Sequence, residues 1–392
     1  MKSYSSFTKV LSLFTTVCTL QAPIAPSFGL KEVPTLDGAD RIRNDQWHLR
    51  YLEVQKAHKI NQGAGAVVAV PDTGVFPHPD LRNNLLIGAD VIPGGKGDGR
   101  QDRDSHGTAM AGLIAAHGKG TKTGALGVAP KAKIFPIFCM PAHGAGQPDA
   151  LAEAINVAVD EGVDIISISS VGGTSAKLIR AIEAAIAADI VVIASVGNKP
   201  GDSRVGYPAS HPAVIAVAGI DQDGNHHSIS AAGPEITLAA PGANLYSTSY
   251  DGHYSRGTGT SGAAAIVAGA AALIRAKYPY LPADEVAHRL TATAIDKGPP
   301  GRDDQYGYGV IDLVAALTAD VPPRGFGSVR TAAPDAAGST TAAADGPPAD
   351  EGRAATVRGL VTLGVLIAAG GAWALVIRHR RRSDDPPPRI TR

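Results

Sequence analysis

Short apolar runs alternate along the chain with segments in which charged residues recur at helical spacing. The runs are rich in Val and Ile and too short for helices, so they predict buried strands. They occupy residues 66–70, 133–138, 164–169, 190–195 and 213–220. Residues 149–162 and 175–189, which lie between runs, have helical spacing with one charged face. This alternation predicts an α/β fold: a mainly parallel, twisted sheet covered by helices on both faces.

A longer segment, residues 263–277, is apolar on almost all sides and ends before Pro279. It predicts a buried helix, and Ser261 stands just before it among glycines and alanines. The simplest interpretation is that Ser261, as an exposed serine, or Thr260 merely caps the helix, because cap serines are common. The alternative is a nucleophile at the positive end of the helix, with small neighbours that let a substrate backbone approach.

The N-terminal segment has the pattern of a secretory signal peptide. Lys2 and Lys9 precede or border the apolar residues 10–20, and small residues follow. We therefore predict a signal peptide over residues 1–29. A lipid anchor on Cys18 is the alternative.

The C-terminal segment predicts a membrane anchor. Residues 360–377 contain no charged side chain, and an arginine-rich run follows at residues 378–382. A single transmembrane helix is predicted within residues 358–380, with residues 381–392 in the cytoplasm. The alternative is a buried core helix. The preceding residues 323–357 are rich in Ala, Gly and Pro, which predicts a flexible linker.

Between these segments, residues 46–322 are predicted to form the folded body, preceded by an extended arm over residues 30–45. The arm is too short for a folded inhibitory prodomain, so we expect the body to fold without one. Basic and acidic residues number 36 each, which gives no support for a nucleic-acid partner. Of two cysteines, Cys18 lies in the leader, and Cys139 is interpreted as a small buried apolar residue.

Three polar residues stand beside glycines at the ends of predicted elements: Asp72, His106 and Ser261. Each alone has an ordinary explanation as a turn, helix-start or cap residue. Together they suit a catalytic triad, because a serine hydroxyl is a weak nucleophile until a base removes its proton. His106 can act as that base near neutral pH, and Asp72 would orient the imidazole and stabilise its charged form.

The sequence around these residues resembles the subtilases, the serine peptidases of the subtilisin superfamily. The matching stretches, in family order, are "VAVPDTGV", "HPDL", "SHGTAMAG", "VVIASVGN" and "GTSGAAAIVAG". The resemblance implies a serine endopeptidase with Asp72, His106 and Ser261 as its triad. It also implies that Asn198 donates to the oxyanion beside the Ser261 N–H, whereas Asn198 alone would be interpreted as a turn residue.

The resemblance further implies a substrate-binding segment in "SISSVGG". Its residues would pair with the substrate backbone and form a wall of the first specificity pocket: Ser169, Ser170, Val171 and Gly172. The alternative is that Asp164 to Ser169 is only a sheet strand. The chain departs from the family pattern at Pro71, at Ala109-Met110 and after Ser261, which changes neighbouring residues but removes no catalytic group.

The order of leader, subtilase body, linker and terminal helix resembles that of mycosins, the peptidases attached to type VII secretion systems of actinobacteria. "DQWHLRYLEVQKAH" also resembles their N-terminal region. This resemblance implies an outward-facing membrane-anchored endopeptidase, a peptide or protein substrate, and a type VII secretion complex as partner. Two other hypotheses stay open: a scaffold of a secretion complex in which proteolysis is secondary, and a general cell-surface subtilase.

No cofactor and no metal site are predicted. The carboxylates in residues 98–105 raise calcium binding as an alternative, but this run is interpreted as an exposed charged loop.

Overall fold

The computed structural model describes residues 25–26, 29–33, 38–120, 122–141 and 147–324. The predicted transmembrane helix, the tail, residues 1–24 of the predicted signal peptide and the linker beyond Arg324 lie outside these residues. Across the described ranges, no helix is both long enough and apolar enough to cross a membrane.

The order of strands and helices follows the alternation seen in the sequence. The strands are β1 (Ala25–Pro26), β2 (Gly29–Val33), β3 (Val67–Asp72), β4 (Ala89–Asp90), β5 (His117–Lys119), β6 (Thr123–Leu126), β7 (Lys133–Phe138), β8 (Ile165–Ile168), β9 (Ser170–Val171), β10 (Val191–Ser195), β11 (Ile215–Ile220), β12 (Leu238–Pro241), β13 (Leu245–Thr248) and β14 (Tyr254–Thr258). The helices are α1 (Gly38–Asp45), α2 (Trp47–Tyr51), α3 (Val54–Ile60), α4 (His106–Ala115), α5 (Pro148–Asp160), α6 (Ala176–Ala187), α7 (Thr260–Lys277), α8 (Ala283–Ala292) and α9 (Leu313–Thr318).

The main sheet is parallel, as the apolar runs predict. Its strand order is β12-β11-β10-β8-β3-β7-β4, and each neighbouring pair runs in the same direction. All five predicted strands are present, as β3, β7, β8, β10 and β11. The two edge strands, β4 and β12, were not predicted, because β4 has only two residues and β12 only four, two of them alanine.

Helices cover both faces of this sheet, because successive side chains of a strand point to opposite sides. Val68 and Val70 of β3 belong to one core cluster with α4 and α7, whereas Ala69 between them belongs to another with α5 and α6. All three side chains are fully buried. Charge is therefore excluded from both faces of the central strands, and chemistry is confined to the strand ends.

Helix α7 crosses the core and is buried from Thr260 to Arg275. Its small side chains let neighbouring helices approach closely. A Cβ at Gly269 would lie 2.7 Å from the Cβ of Val128, which no real pair of carbon atoms tolerates. The helix starts at Thr260, three residues before the predicted start, so Ser261 belongs to its first turn.

Residues 30–45, predicted as an extended arm, include a strand and a helix. Strand β2 pairs antiparallel with β14, but residues 38–45 form helix α1. The Arg43 guanidinium donates to the carbonyls of Thr123 (3.1 Å) and Gly124 (3.0 Å). Ile42 is the only large apolar residue of α1, so the helix depends on contacts with β6 and has no periodicity of its own.

Helix α2 contains an imidazole that is buried without compensation. His48 is fully buried, and neither of its ring nitrogens has a hydrogen-bond partner among the described residues. Burial, with a smaller contribution from the nearby charge of Arg50, lowers the pKa of His48 to about 3. Folding therefore requires His48 to be neutral.

We expect acid to destabilise the fold through His48. The unfolded chain binds this proton near pH 6.5 and the folded chain only near pH 3, so stability falls as the pH falls between those values. Burial lowers the pKa of His78 to about 4, so His78 adds to this loss of stability in acid. Urea unfolding at about pH 7.5 and pH 4.5 measures it, and His48→Leu should reduce the loss between them.

Val54→Ala, another change at a fully buried side chain nearby, is the control. It should lower the free energy of unfolding by a similar amount at both pH values, because it removes packing and no titrating group. If His48→Leu leaves the loss of stability between the two pH values unchanged, His48 is not the source of that loss.

Candidate active site

The residues predicted to carry chemistry lie at the carboxyl ends of the parallel strands. Asp72 is the last residue of β3, His106 is the first of α4, and Ser261 lies in the first turn of α7. Ligands of open parallel sheets bind at this edge, because the connections there leave room outside the packed faces.

Asp72 and His106 are in direct contact. The Nδ1 of His106 lies 2.6 Å from Oδ1 of Asp72, and the side chains are 1% and 0% exposed. The helix that carries His106 can approach β3 only because residue 107 is glycine: a Cβ there would lie 2.0 Å from the carbonyl oxygen of Gly74. With Nδ1 donating to the carboxylate, the neutral imidazole presents Nε2 as an acceptor.

The charges around His106 favour its protonated form. Burial opposes the positive charge, but the carboxylates of Asp72, Asp104 and Asp102 together outweigh burial and raise the pKa of His106 above its ordinary value. The site therefore stabilises an imidazolium, the species that forms when a base takes a proton from a serine.

Ser261 is not an exposed cap. Its side chain is 0% exposed, and the residue that caps α7 is Gly259, which has no side chain to bond with. The Ser261 hydroxyl donates to the Ser169 carbonyl at 2.8 Å, and the Ser169 hydroxyl donates to the Ser261 carbonyl at 3.5 Å. The capping interpretation of Ser261 was therefore wrong, since its hydroxyl contacts another segment.

Strand register brings the serine close to the Asp–His pair. Ala69 of β3 pairs with Ile166 of β8, and Asp72 and Ser169 each lie three residues beyond that pair. Ser169, whose carbonyl accepts a hydrogen bond from the Ser261 hydroxyl, therefore directly follows β8, the strand next to the one that ends in Asp72. Three segments distant in sequence thus meet at two neighbouring strand ends.

Asn198 follows β10 and lies beside the start of α7. Its Oδ1 accepts hydrogen bonds from the backbone N–H (3.0 Å) and the hydroxyl (3.2 Å) of Thr260, which directly precedes Ser261. The backbone N–H of Asn198 donates to Asp202 at 2.8 Å. The side-chain carbonyl is thereby held against the helix, which fixes where the amide nitrogen can point.

Ser170 and Val171 form the short strand β9, just beyond β8. Its edge pairs antiparallel with β1, as Ala25 lies opposite Val171 and Pro26 opposite Ser170. Gly172 then donates its N–H to the Tyr207 carbonyl at 3.2 Å. Strand β9 therefore lies outside the main sheet, and its edge accepts an extended chain.

The Subtilase family model (Peptidase_S8) matches residues 63–309 of this chain. The chain belongs to the subtilase family. Subtilisin DY of Bacillus licheniformis is 38% identical over 271 residues, which cover 67% of this chain and 95% of that protein.

Two solved structures of MycP proteases are also similar. MycP1 from Mycobacterium smegmatis superposes with a TM-score of 0.64 at 29% identity, covering 76% of this chain and 91% of that one. The MycP3 protease from the type VII (ESX-3) secretion system gives 0.62 at 33% identity, covering 76% and 94%. The subtilase described here is therefore a subtilisin-like serine endopeptidase close to the MycP proteases.

The sequence interpretation missed a carboxylate of this subtilase. Residues 98–105 were expected to form an exposed charged loop, but Asp102 is only 5% exposed and Ser105 only 4%. Asp102 accepts hydrogen bonds from the start of α4, so the loop packs inward. The available signal was the position of Asp102 four residues before His106. In the described part of the chain, no three His, Cys, Asp or Glu side chains form a group suited to a metal.

The departures from the family pattern lie inside the core. Ala109 and Met110 are fully buried in α4, and Pro71 lies within β3 opposite Ile137. Cys139 is 1% exposed, as its interpretation as a buried apolar residue requires, and burial raises the pKa of its thiol well above the ordinary value. Its backbone N–H donates to the Asp72 carbonyl at 3.0 Å, which helps to fix the end of β3.

Proposed function

We propose that Asp72, His106 and Ser261 form the catalytic triad of this endopeptidase. The observation that carries the proposal is the buried 2.6 Å hydrogen bond between Asp72 and His106, next to the strand end that holds the Ser261 hydroxyl. A buried carboxylate–imidazole pair beside a serine at a helix N-terminus suits acyl transfer.

The chemistry follows from these positions. Nε2 of neutral His106 takes the Ser261 hydroxyl proton while Oγ attacks the carbonyl carbon of the scissile peptide bond. The imidazolium that results is stabilised by Asp72 and then gives the proton to the leaving amine. Water repeats the sequence on the acyl-enzyme, with His106 again as base, and releases the second product.

Asn198 and the Ser261 backbone N–H are the proposed oxyanion donors. Thr260 holds the Asn198 carbonyl oxygen through two hydrogen bonds, so the side chain is oriented before substrate arrives. The Ser261 N–H belongs to the first turn of α7, where N–H groups have no partner within the helix and the helix dipole favours an anion. Donors fixed in advance stabilise the charge that develops on the carbonyl oxygen.

Ser169, Ser170, Val171 and Gly172 are proposed to bind the substrate backbone. The pairing of β9 with Ala25–Pro26 supports this role, because it places an extended chain antiparallel to the segment. Backbone pairing tolerates many side chains, so an endopeptidase can accept varied sequences while holding the scissile bond in one position.

We propose that the enzyme is anchored in the cell membrane by residues 358–380, with its catalytic domain outside and residues 381–392 in the cytoplasm. The signal-peptide pattern, the uncharged segment and the arginine-rich run support this arrangement. The similarity to the MycP3 protease from the type VII (ESX-3) secretion system supports association with such a complex. The linker would then keep the catalytic domain near the membrane surface.

We expect Ser261→Ala to abolish hydrolysis of peptide substrates while the protein stays folded. The change removes the nucleophile and the hydrogen bond from its hydroxyl to the Ser169 carbonyl, and such a bond is worth about 1 kcal/mol. Peptidase assays and thermal unfolding measure the two effects. Ser255→Ala is the control, since this serine is also buried but contacts Thr248 outside the site. Full activity of Ser261→Ala would refute the triad, whereas secretion restored by an inactive variant in cells would favour the scaffold hypothesis.

Asn198→Ala should lower kcat by roughly 10²–10³-fold with little change in KM, because its amide acts mainly on the transition state. Thr260→Val is the comparison, since it removes one hydroxyl that contacts Asn198 and keeps the amide. Its kcat should fall much less. A change in KM alone for Asn198→Ala would assign this side chain to substrate binding.

A soluble form that ends at Val321 tests the anchor. A flexible linker over residues 323–357 spans on the order of 30 Å, so the anchored domain is concentrated near proteins at the membrane. The soluble form should hydrolyse small peptides as fast as the full chain but process a cellular substrate poorly at equal expression. Equal processing by both forms would mean that the anchor does not select substrates.

A further inference from the structure

We propose that Asp102 is a positioning residue that holds the His106 helix against the strand end that carries Asp72. The proposal rests on the triad proposed above and extends it to a residue that contacts neither substrate nor the reacting atoms. It stands on three features of the structure: the hydrogen bonds of Asp102, the bridge formed by Thr73, and the backbone conformation of Ser105.

The Asp102 carboxylate accepts five hydrogen bonds. Its Oδ1 accepts from the backbone N–H groups of Asp104 (2.9 Å) and Ser105 (3.0 Å) and from the Thr73 hydroxyl (3.0 Å). Its Oδ2 accepts from the backbone N–H (3.0 Å) and the hydroxyl (2.6 Å) of Thr108. Every partner is a donor, and only an ionised carboxylate can accept from all of them.

Thr73 connects this carboxylate to both members of the Asp–His pair. Its hydroxyl donates to Asp102 and accepts the backbone N–H of Gly107 at 3.0 Å. Its own backbone N–H donates to Asp72 Oδ1 at 2.7 Å, the same oxygen that contacts His106. A shift of Asp102 would therefore move the helix start and the strand end relative to each other.

The hydrogen bonds of Asp102 also hold the unusual backbone conformation of Ser105. It lies directly before His106 with φ of 82°, in the left-handed region that side chains other than glycine rarely adopt. Its N–H donates to Asp102, and its hydroxyl accepts from Ser249 at 2.7 Å. These bonds hold a backbone conformation that is unfavourable by itself and that sets the direction of the His106 side chain.

Asp102 also contributes charge. Burial disfavours the charge on His106, whereas Asp72, Asp104 and Asp102 are among the charged groups that favour it. Replacing Asp102 by Asn keeps the size of the side chain but removes the charge and turns one acceptor into a donor. That donor would face the N–H of Thr108 or the donors at Oδ1.

Asp102→Asn should therefore change catalysis in two measurable ways. The kcat for a peptide substrate should fall about tenfold with KM nearly unchanged, as expected when catalytic groups are misplaced by a fraction of an ångström. The acidic limb of kcat/KM against pH should move down by roughly half a pH unit or more, because removing a nearby negative charge disfavours the imidazolium.

Two further variants separate position from charge. Asp98→Asn is the matched control: it makes the same change in the same loop, at an exposed carboxylate paired with Arg100. It should leave kcat and the limb unchanged. Thr73→Val removes the bridge but keeps the Asp102 charge, so kcat should fall while the limb stays in place.

A spectroscopic readout makes the test independent of hydrolysis. In a Ser261→Ala background, the proton shared by His106 Nδ1 and Asp72 should give a low-field NMR resonance, and Asp102→Asn should shift it while Asp98→Asn should not. This result would stand even if Ser261→Ala showed that the triad proposal was wrong.

The positioning role is overturned if Asp102→Asn lowers the melting temperature but otherwise behaves like Asp98→Asn. In that case kcat, the acidic limb of kcat/KM and the low-field NMR resonance would all be unchanged. If Asp102→Asn does not fold, Thr73→Val decides: unchanged kcat and an unshifted resonance in that variant would equally overturn the proposal.

Discussion

The hydrogen bond between Asp72 and His106 requires two segments, far apart in sequence, to end at one point inside the protein. A parallel sheet meets this requirement, because the ends of neighbouring strands lie at one edge and the connecting helices begin there. Here the carboxylate of Asp72 lies at the end of β3, and the imidazole of His106 lies at the start of α4. The Ser261 hydroxyl, in the first turn of α7, contacts the residue that follows β8. Small residues at the contacts make these approaches possible, as at Gly107 and Gly269.

Burying this pair is costly, and the surrounding hydrogen bonds offset the cost. An unpaired charge in an apolar interior is unfavourable by several kcal/mol, so a carboxylate so deeply buried needs donors. Asp72 receives them from Thr73 and His106, and Asp102 receives five from the loop and from α4. The same bonds that make the charges tolerable fix their positions. Stability and geometry at this site therefore depend on one set of contacts, and a substitution that weakens one should weaken the other.

The sequence predicted those features that have a local signal. Continuous apolar runs identified the central strands, and glycines beside Asp72, His106 and Ser261 marked the ends where chemistry is found. The fold and the pairing of Asp72 with His106 were predictable from these patterns. Asp102 was not, because its burial depends on Thr73 and Thr108, which reach it only in the folded chain. Helix α1 was missed for a similar reason: its support is Arg43 bonded to carbonyls about eighty residues away. The exposed-cap interpretation of Ser261 failed because a helix N-terminus buried among other segments has the same local sequence as an exposed one.

The edge of β9 places a further constraint on function. Ala25 and Pro26 pair with Val171 and Ser170, on the segment proposed to hold the substrate backbone, while Gly29–Val33 pairs with β14. A strand edge has one row of backbone groups and pairs with one chain at a time. A substrate that binds there must therefore replace β1. Cleavage near Gly29, where the leader pattern places it, would remove β1 and leave most of β2 paired with β14. With the proposed leader removed in this way, the proposed binding edge of β9 would be open while most of β2 kept its pairing with β14.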